Sequence, residues 1–295
     1  MEEGQPPRAK WHGPVVLFVS IVVCGLLAFA WLLPSGATTA DPDPTVPPPV
    51  VVTPAVPVQK DPPPEPTPPP LPPEGHMPSG GVPGANVVGV DCSAVPCVAL
   101  TFDDGPSTYR SALLDQLKAL NVHVTFFDLG QSVAARPELL ARSVAEGHAV
   151  GGHSWRHGDM VKAGPQAACE DANRTRNAIK DASGVDSPLV RPPYGAWDDA
   201  VLAACTGMTF VLWDVDTMDW ATHDGAKVTD HVLNDSRPGS IILMHDTVSE
   251  DIAALPGIVA GLKERGYTLV TVPQLWAAPL ETGRAVFNGP RATKN

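Results

Sequence analysis

Proline dominates one internal segment of this chain, and that segment limits what the rest can build. Residues 34–85 contain 19 of the 34 prolines in the 295-residue sequence. Proline has no backbone N–H and a fixed φ angle, so such a segment cannot form a helix or a central strand. We interpret it as an extended, disordered linker of the polyproline type. What remains is an N-terminal part and one domain at residues 86–295, which is long enough to enclose a single core.

An apolar stretch precedes the linker. Residues 15–33 are nearly all apolar, and as a helix they would just cover a hydrocarbon core of roughly 30 Å. Arg8 and Lys10 lie before the stretch and the first charges after it are acidic, so the positive-inside rule places residues 1–14 in the cytoplasm. We predict a single-pass anchor in the cell membrane with the domain outside. The alternative is a signal peptide cleaved near the small residues 35–37, which would give a secreted protein.

The net charge of the chain argues against some classes of binding partner. The sequence has 20 basic and 32 acidic residues, for a formal net charge of −12. Nucleic-acid-binding surfaces neutralise phosphates with Lys and Arg, and many stack bases on aromatic rings. An acidic chain with only three tyrosines offers neither feature. We therefore expect no nucleic-acid partner and no nucleotide cofactor.

Short apolar runs alternate with amphipathic stretches throughout the domain. The runs typical of strands are residues 97–102, 122–127, 149–151, 189–190, 209–215, 240–244 and 268–272. Helical patterns lie at residues 107–120, 137–146, 165–182, 198–205, 226–234 and 252–265. Repeated strand–helix–strand units indicate parallel strands with helices outside them. We predict an α/β fold with about seven parallel strands. Periodicity leaves open whether the sheet closes as a regular or distorted barrel or stays open.

Four cysteines lie in the part of the chain that both interpretations of the N-terminus send outside: Cys92, Cys97, Cys169 and Cys205. An even number in an oxidising compartment suggests disulfides. Three connectivities are open. Cys92–Cys97 is the local choice, and it leaves Cys169–Cys205 between two helices. Buried free thiols are the alternative, and metal-binding cysteines are disfavoured because the sequence has no CxxC pair.

Two carboxylates follow the first predicted strand, at the sheet edge where parallel α/β folds build their sites. Asp103 and Asp104 stand in the sequence Thr-Phe-Asp-Asp-Gly-Pro, whose Gly-Pro pair forces a sharp turn. Adjacent carboxylates point in different directions, so one can bind a cation while the other handles protons. A plain turn without chemistry is the alternative.

Two histidines with i, i+4 spacing follow the predicted strand at 149–151. On a helix, His153 and His157 would share one face and could hold one metal ion. With Asp104 they make a two-histidine, one-carboxylate set, which suits Zn²⁺ or another divalent transition metal with an open position for water. Two surface histidines on a polar helix are the alternative.

Three further segments end predicted strands. Arg191 opens Arg-Pro-Pro-Tyr-Gly, where a fixed guanidinium can pair with a carboxylate and a backbone N–H can face an oxyanion. Residues 213–220 alternate acidic and aromatic side chains. Trp213 fits the strand core, whereas Trp220 lies beyond the strand and is the better platform for a sugar ring. His245, beside Asp246, can serve as a general acid, the alternative being a capping or core histidine.

In this order, the five segments resemble the motif set of polysaccharide deacetylases of carbohydrate esterase family 4. That family carries TFDDGP, H(S/T)xxH, RxP(Y/F)G, an Asp–Trp motif and LxH, and all five occur here between residues 101 and 245. The resemblance covers residues 88–280 and shows no departure at a functional position. It implies a distorted (β/α) barrel, preceded here by the transmembrane helix and the proline-rich linker.

The resemblance also implies how a metal and a base would be held. Asp104, His153 and His157 would bind the metal, usually Zn²⁺ in similar enzymes. Asp103 would be the general base that deprotonates the attacking water. Arg191 would pair with Asp103 and keep its pKa low enough for the carboxylate to stay ionised.

The remaining implied roles concern the leaving group and the substrate. The backbone N–H of Tyr194 would stabilise the oxyanion. His245 would protonate the leaving amine, and Asp219 would orient His245. Trp220 and Leu243, together with Tyr194, would shape the substrate groove and the pocket for the acetyl methyl group.

These roles predict a metal-dependent hydrolase that removes N-acetyl groups from a glycan. The anchor and spacer point to the cell's own wall, so we expect peptidoglycan N-acetylglucosamine at the bacterial cell surface as the substrate. The nearest alternative is the same chemistry on chitin oligomers or O-acetylated xylan. A catalytically silent wall-binding module is a second class of function. Such a module would have lost the base, the acid or a metal ligand, and this sequence keeps every one.

Overall fold

The computed structural model describes residues 90–276 and 278–290. The predicted cytoplasmic tail, membrane anchor and linker, residues 1–14, 15–33 and 34–85, lie outside the described residues and stay predictions. Within the described ranges, no helix combines the length and the apolar character that crossing a membrane requires.

The described part of the chain contains one nine-stranded sheet in which every pairing of strands is parallel. The strands are β1 (Cys97–Gly105), β2 (Thr125–Asp128), β3 (Ala149–Gly152), β4 (Leu189–Val190), β5 (Thr209–Val211), β6 (Val215–Asp216), β7 (Ile241–His245), β8 (Thr268–Leu269) and β9 (Arg284–Val286). Their order is β6-β7-β1-β2-β3-β4-β5-β9, and β8 pairs with the start of β1 outside this row.

Helices fill most of the connections between strands. They are α1 (Arg110–Leu120), α2 (Gly130–Ala135), α3 (Pro137–Ala145), α4 (Met160–Ala163), α5 (Pro165–Ser183), α6 (Asp199–Ala204), α7 (Asp219–Thr222), α8 (Gly225–Asp235) and α9 (Ser249–Glu264). Short 3₁₀ turns occur at Pro193–Gly195 and Val272–Leu275. The six predicted helices correspond to α1, α3, α5, α6, α8 and α9, whereas α2, α4 and α7 are only four to six residues long.

The central strand β1 is buried on both faces, as is usual for a strand inside a parallel sheet. Leu100 and Phe102 point into a core cluster formed with helices α1, α8 and α9. Ala99 points the other way, into a second cluster with inward residues of β2, β4, β5 and β7. Side chains alternate along a strand, so Asp103 shares the face of Ala99. The alternation thus directs this carboxylate into the sheet's inner side.

The predicted α/β class with parallel strands is confirmed. The described residues contain nine strands instead of about seven, and the implied distorted barrel is a curled half-barrel. The single strand predicted at residues 209–215 is instead two strands, β5 and β6, which stand near opposite ends of the row. At this break the carbonyls of Val211 and Leu212 accept hydrogen bonds from the Arg191 guanidinium, at 3.0 and 3.1 Å. Strand β9 has three residues in the C-terminal segment, too short a run to show alternation.

One of the two predicted disulfides is present and the other is not. Cys92 and Cys97 are bonded to each other beside the start of β1. Cys169 and Cys205 are free thiols, so the predicted bridge between α5 and α6 is absent from this structure. The two thiols form a hydrogen bond instead, and Sγ of Cys169 also accepts one from Asn173 at 3.5 Å. Burial and the neighbouring thiol raise the pKa of Cys205, which keeps it protonated.

Candidate active site

The carboxyl ends of neighbouring strands bring the predicted residues to one edge of the sheet. Two carboxylates lie near the end of β1, His153 follows β3, Arg191 follows β4, and His245 ends β7. Parallel strands put all these ends on the same side. A cavity of about 420 Å³ lies there and is lined by eight predicted residues: Asp103, Asp104, His153, His157, Tyr194, Trp220, Leu243 and His245. The other two, Arg191 and Asp219, are fully buried and bonded to Asp103 and His245 respectively.

Three of these residues converge on one point. Oδ1 of Asp104 lies 3.7 Å from Nε2 of His153 and 3.6 Å from Nε2 of His157. These separations are too long for hydrogen bonds, and among the described residues the buried Oδ1 of Asp104 has no hydrogen-bond partner. A buried acceptor that faces two imidazole nitrogens fits a cation held between them. The cluster therefore has the donor set and spacing for Zn²⁺ or another divalent transition metal.

A backbone contact fixes which nitrogen of His153 faces that cluster. Nδ1 of His153 lies 2.7 Å from the carbonyl oxygen of Arg191. A carbonyl can only accept, so Nδ1 carries the proton and Nε2 presents its lone pair to the cluster. Burial also holds the pKa of His153 well below its usual range, although Asp104 opposes this. The imidazole is therefore neutral, as a metal ligand must be.

The two histidines approach each other through a turn, and the helix predicted for them is wrong. Residues 153–157 contain no helical residue, and Ser154 and His157 have φ angles of 61° and 59°. The hydroxyl of Ser154 accepts a hydrogen bond from the Gly158 N–H at 3.1 Å and closes the turn. Asp104 is also left-handed, with φ 72°. Non-glycine residues adopt this conformation at a cost, and they concentrate at functional sites.

The pairing predicted between Asp103 and Arg191 is present inside the sheet. Nη1 of Arg191 donates to Oδ1 of Asp103 at 2.8 Å and to the Thr101 hydroxyl at 2.7 Å. All three side chains are buried. Burial raises the pKa of Asp103, and the charge of Arg191 opposes this increase without cancelling it. The expectation that Arg191 keeps this pKa low is therefore correct in direction, but in the protein alone burial outweighs it.

A second pair lies beside the first, because Asp103 and His245 are register partners on the adjacent strands β1 and β7. Nδ1 of His245 lies 2.9 and 3.0 Å from the two oxygens of Asp219, and the His245 backbone N–H donates to the same carboxylate at 2.7 Å. Burial disfavours the charged imidazole, but the hydrogen bond and charge of Asp219 outweigh it and raise the pKa of His245 to about 9. At neutral pH this histidine carries a proton that it can give away.

Aromatic side chains form the rim. Trp220 and Tyr194 are 55% and 70% exposed, and the Tyr194 ring meets the His157 ring edge to face, with centroids 4.5 Å apart. Leu243 is buried and lines the cavity. Trp213, expected in the strand core, is only half-buried and lines the cavity.

Sequence reasoning missed two further residues of the cavity wall. Asp216 and Thr247 line it beside the predicted groups. Asp216 lies inside the acidic and aromatic segment 213–220 that the sequence singled out. Thr247 follows His245 by two positions and carries no signal of its own, because a single threonine has no distinctive pattern.

Comparison with known proteins places this chain in a family. Residues 91–211 match the family model described as polysaccharide deacetylase. The chain is 40% identical over 192 residues to the peptidoglycan-N-acetylglucosamine deacetylase PgdA of Listeria monocytogenes, over 65% of this chain and 41% of that protein. It is 37% identical over 196 residues to a chitooligosaccharide deacetylase of Bradyrhizobium sp., over 60% of this chain and 90% of that one. A solved structure of T48 deacetylase with substrate has a TM-score of 0.65 and 43% identity, over 67% of this chain and all of the other.

The chain belongs to the polysaccharide deacetylase family, the carbohydrate esterases of family 4, and its named relatives are deacetylases. The family predicted from the five motifs is thereby confirmed. The chain spans about two fifths of the length of the Listeria relative, 41% of it, whereas it covers nearly the whole of the Bradyrhizobium one.

Proposed function

We propose that this protein is a metal-dependent deacetylase that removes N-acetyl groups from a cell-wall glycan, with peptidoglycan N-acetylglucosamine as the substrate. The observation that carries the proposal is the cavity itself. The cavity is lined by a candidate metal cluster, by Asp103 of a buried carboxylate–guanidinium pair and by His245 of a carboxylate–imidazole pair. Amide hydrolysis needs a base for the attacking water and a separate acid for the leaving amine, and the two pairs supply these groups.

Asp104, His153 and His157 would hold the ion. When bound, a divalent ion such as Zn²⁺ polarises the acetyl carbonyl and lowers the pKa of water from 15.7 to about 7. The neutral His153 and the otherwise unpartnered Oδ1 of Asp104 are donors suited to that ion.

Asp103 takes the proton of the attacking water. Its Oδ1 is occupied by Arg191 at 2.8 Å, whereas its Oδ2 lies 3.7 Å from Nε2 of His153 and so faces the metal cluster. Arg191 cannot rotate away, because its other nitrogens donate to the carbonyls of residues 211 and 212. The base is therefore held with one oxygen fixed and the other turned to the reacting water.

His245 gives a proton to the amine as the carbonyl carbon–nitrogen bond breaks. Its Nδ1 is engaged by Asp219, which leaves Nε2 for the leaving nitrogen. Water adds to the acetyl carbon, acetate departs, and the glycan keeps a free amine. The backbone N–H of Tyr194 would donate to the oxyanion, and Trp220, half exposed at the rim, would stack on a sugar ring.

The location of the protein is part of the proposal. The apolar stretch at residues 15–33 and the proline-rich linker at 34–85 support a domain tethered to the outer face of the bacterial membrane, close to the wall. Release after signal cleavage is the competing outcome. Fractionation of cells that express the full chain distinguishes the two, since a tethered protein stays with membranes and remains open to added protease on intact cells.

Acetate release from the full-length protein tests the activity. The substrates are purified peptidoglycan, chitin oligomers and O-acetylated xylan, each assayed with chelator and then with Zn²⁺ restored. We expect chelator-sensitive release from peptidoglycan that Zn²⁺ restores. Release from chitin oligomers or xylan alone would retain the mechanism and reject the proposed substrate, and no release from any of the three would reject the activity.

The metal site is tested separately by metal content. His157→Ala should lower bound Zn²⁺ at least tenfold, because it removes one of three ligands. His231→Ala is the matched control, since that histidine is exposed and its partner in the described part of the chain is Asp235 on the same helix. Full metal retention in His157→Ala would contradict the ligand set.

A further inference from the structure

A third carboxyl group lies behind the His245–Asp219 pair, and the reaction described above does not use it. Asp251 stands in the first turn of α9 and is fully buried. The backbone N–H of His245 points at both carboxyl groups, with Oδ2 of Asp219 at 2.7 Å and Oδ2 of Asp251 at 3.3 Å. The side chains of Asp219 and Asp251 are themselves within hydrogen-bond reach of each other.

Two buried carboxylates cannot be in hydrogen-bond contact while both are ionised, because neither would have a hydrogen to share. Asp219 already has the imidazole and the backbone N–H of His245 as partners. Asp251 has only the long contact to that N–H, and no donor among the described residues reaches its buried Oδ1. An anion there would be poorly solvated, whereas a neutral acid could use its own O–H.

The surroundings of Asp251 also favour its neutral form. Burial, the hydrogen bond to Asp219 and the negative charges of Asp219 and Glu250 all raise the pKa of Asp251, and only the His245 N–H opposes them. Asp219 has the opposite shift. Burial raises its pKa, but hydrogen bonds with His245 and Asp251 outweigh burial and lower it. The proton of this carboxyl pair therefore resides on Asp251.

We propose that Asp251 is a neutral carboxylic acid that donates a hydrogen bond to Asp219 and so acts as a positioning residue for His245. An O–H to carboxylate bond is short and strong in a buried setting. It fixes the plane of Asp219, and Asp219 in turn fixes the ring of His245 that faces the cavity. The proposal rests on the function of His245 proposed above, but its decisive readouts do not need turnover.

The first test is spectroscopic and uses the full-length, Zn²⁺-loaded protein at pH 7. The infrared difference spectrum between wild type and Asp251→Asn should contain the carbonyl band of a neutral carboxylic acid, present only in the wild type. If the difference contains carboxylate bands instead, Asp251 is ionised and the proposal is overturned. The readout is independent of which glycan the protein acts on.

The second test compares substitutions. Asp251→Asn keeps a donor of the same shape, so we expect it to retain at least a third of the wild-type kcat and to leave the alkaline limb of the kcat–pH profile within about 0.3 pH unit. Asp251→Ala removes the donor, so kcat should fall at least tenfold. Glu250→Gln is the matched control, because it removes a charge from the same helical turn without touching Asp219, and its kcat should equal that of the wild type.

The kcat–pH profiles distinguish this positioning role from an anionic role and from a purely structural role of Asp251. If Asp251 were an anion that supports protonation of His245, Asp251→Asn would move the alkaline limb down by one unit or more, since a negative charge near the imidazole would be lost. If the role were only structural, Asp251→Ala would lower Tm while kcat and the pH profile stayed unchanged. Either result overturns the proposal. If no glycan is turned over, titration of the His245 ring by NMR in the same variants provides the comparison.

Discussion

At the scale of single residues, two adjacent aspartates receive different environments from one strand. Asp103 is buried on the inner face of β1 and pairs with Arg191. Asp104 comes next, leaves the strand's regular geometry with φ 72°, and turns its oxygen to the two histidines. Neighbouring positions on a strand point to opposite sides, and the left-handed residue adds a further rotation. Asp103 can therefore accept a proton while Asp104 binds a cation.

Asp103→Asn should separate these two tasks. The amide cannot accept a proton, so we expect kcat for acetate release to fall by roughly 10²–10⁴-fold. The metal cluster loses no ligand, so Zn²⁺ content should stay at the wild-type value. Asp115→Asn is the control, because Asp115 is an exposed carboxylate whose ion-pair partner within the described ranges is Arg142. Undiminished acetate release by Asp103→Asn would refute the assignment of the base.

At the scale of strands and turns, some parts of the site can be predicted from the local sequence and others cannot. Each of the five motifs lies where a predicted strand ends, so Asp103, His153 and Arg191 could be assigned to one edge from their order alone. The turn that joins His153 to His157 could not be predicted, because it depends on left-handed φ angles at Ser154 and His157. An i, i+4 spacing gives the same pattern in a helix and in this turn.

Residues contributed by distant elements were missed for a different reason. Asp251 lies in the first turn of α9, where an acidic residue is ordinary and gives no signal of a site. Its contact with Asp219 joins α9 to α7, and no short-range pattern records that contact. The break between β5 and β6 is similar. The carbonyls at the break bind Arg191, which is 20 and 21 residues away from them.

His148 is a buried histidine just before β3, and its titration should change the free energy of unfolding. His148 is 2% exposed, and its Nδ1 accepts a hydrogen bond from the Val124 N–H at 3.2 Å, just before β2. Burial, followed by the charges of His123, Arg110 and Arg142, lowers the pKa of His148 from 6.5 to about 3. Between these values the unfolded chain binds the proton and the folded chain does not, so the free energy of unfolding falls as pH falls through this window.

From pH 6.5 to pH 4.5 we expect this histidine to remove about 2 kcal/mol from the free energy of unfolding. His148→Asn offers an acceptor to Val124 without titrating, so its stability should fall by correspondingly less over the same range. Urea unfolding of both proteins at several pH values measures the difference. Parallel pH dependence in the two proteins would mean that His148 is already protonated in the fold.

At the scale of the whole molecule, one buried guanidinium joins three strand ends around the site. Arg110, at the start of α1, donates to Asp128 at the end of β2 at 2.5 Å and to Asp246, just after β7, at 2.8 Å. Asp246 in turn accepts from the N–H and hydroxyl of Ser107, beyond the end of β1. The backbone N–H of His153 donates to the carbonyl of Asp128 at 2.8 Å, and that of Asp246 to the carbonyl of Asp103 at 3.0 Å. The network therefore extends directly to His153, a proposed metal ligand, and to Asp103, the proposed base.

Arg110→Met tests how much this network contributes to the free energy of unfolding and to the affinity for Zn²⁺. Methionine fills much of the volume but leaves two buried carboxyl groups without their cation, and breaking such a pair costs about 3–5 kcal/mol. Arg142→Met is the matched control, since Arg142 pairs with the exposed Asp115 and with Glu146 near the surface, and pairs of this kind contribute about 0–1 kcal/mol. Urea unfolding of the two full-length variants gives both numbers. The three strand ends carry the site residues. Without urea, where Arg110→Met stays folded, its affinity for Zn²⁺ should therefore be lower than that of the wild type. The Zn²⁺ affinity of Arg142→Met should not change. Equal losses of stability in the two variants would show that the buried cation does not hold these strand ends together.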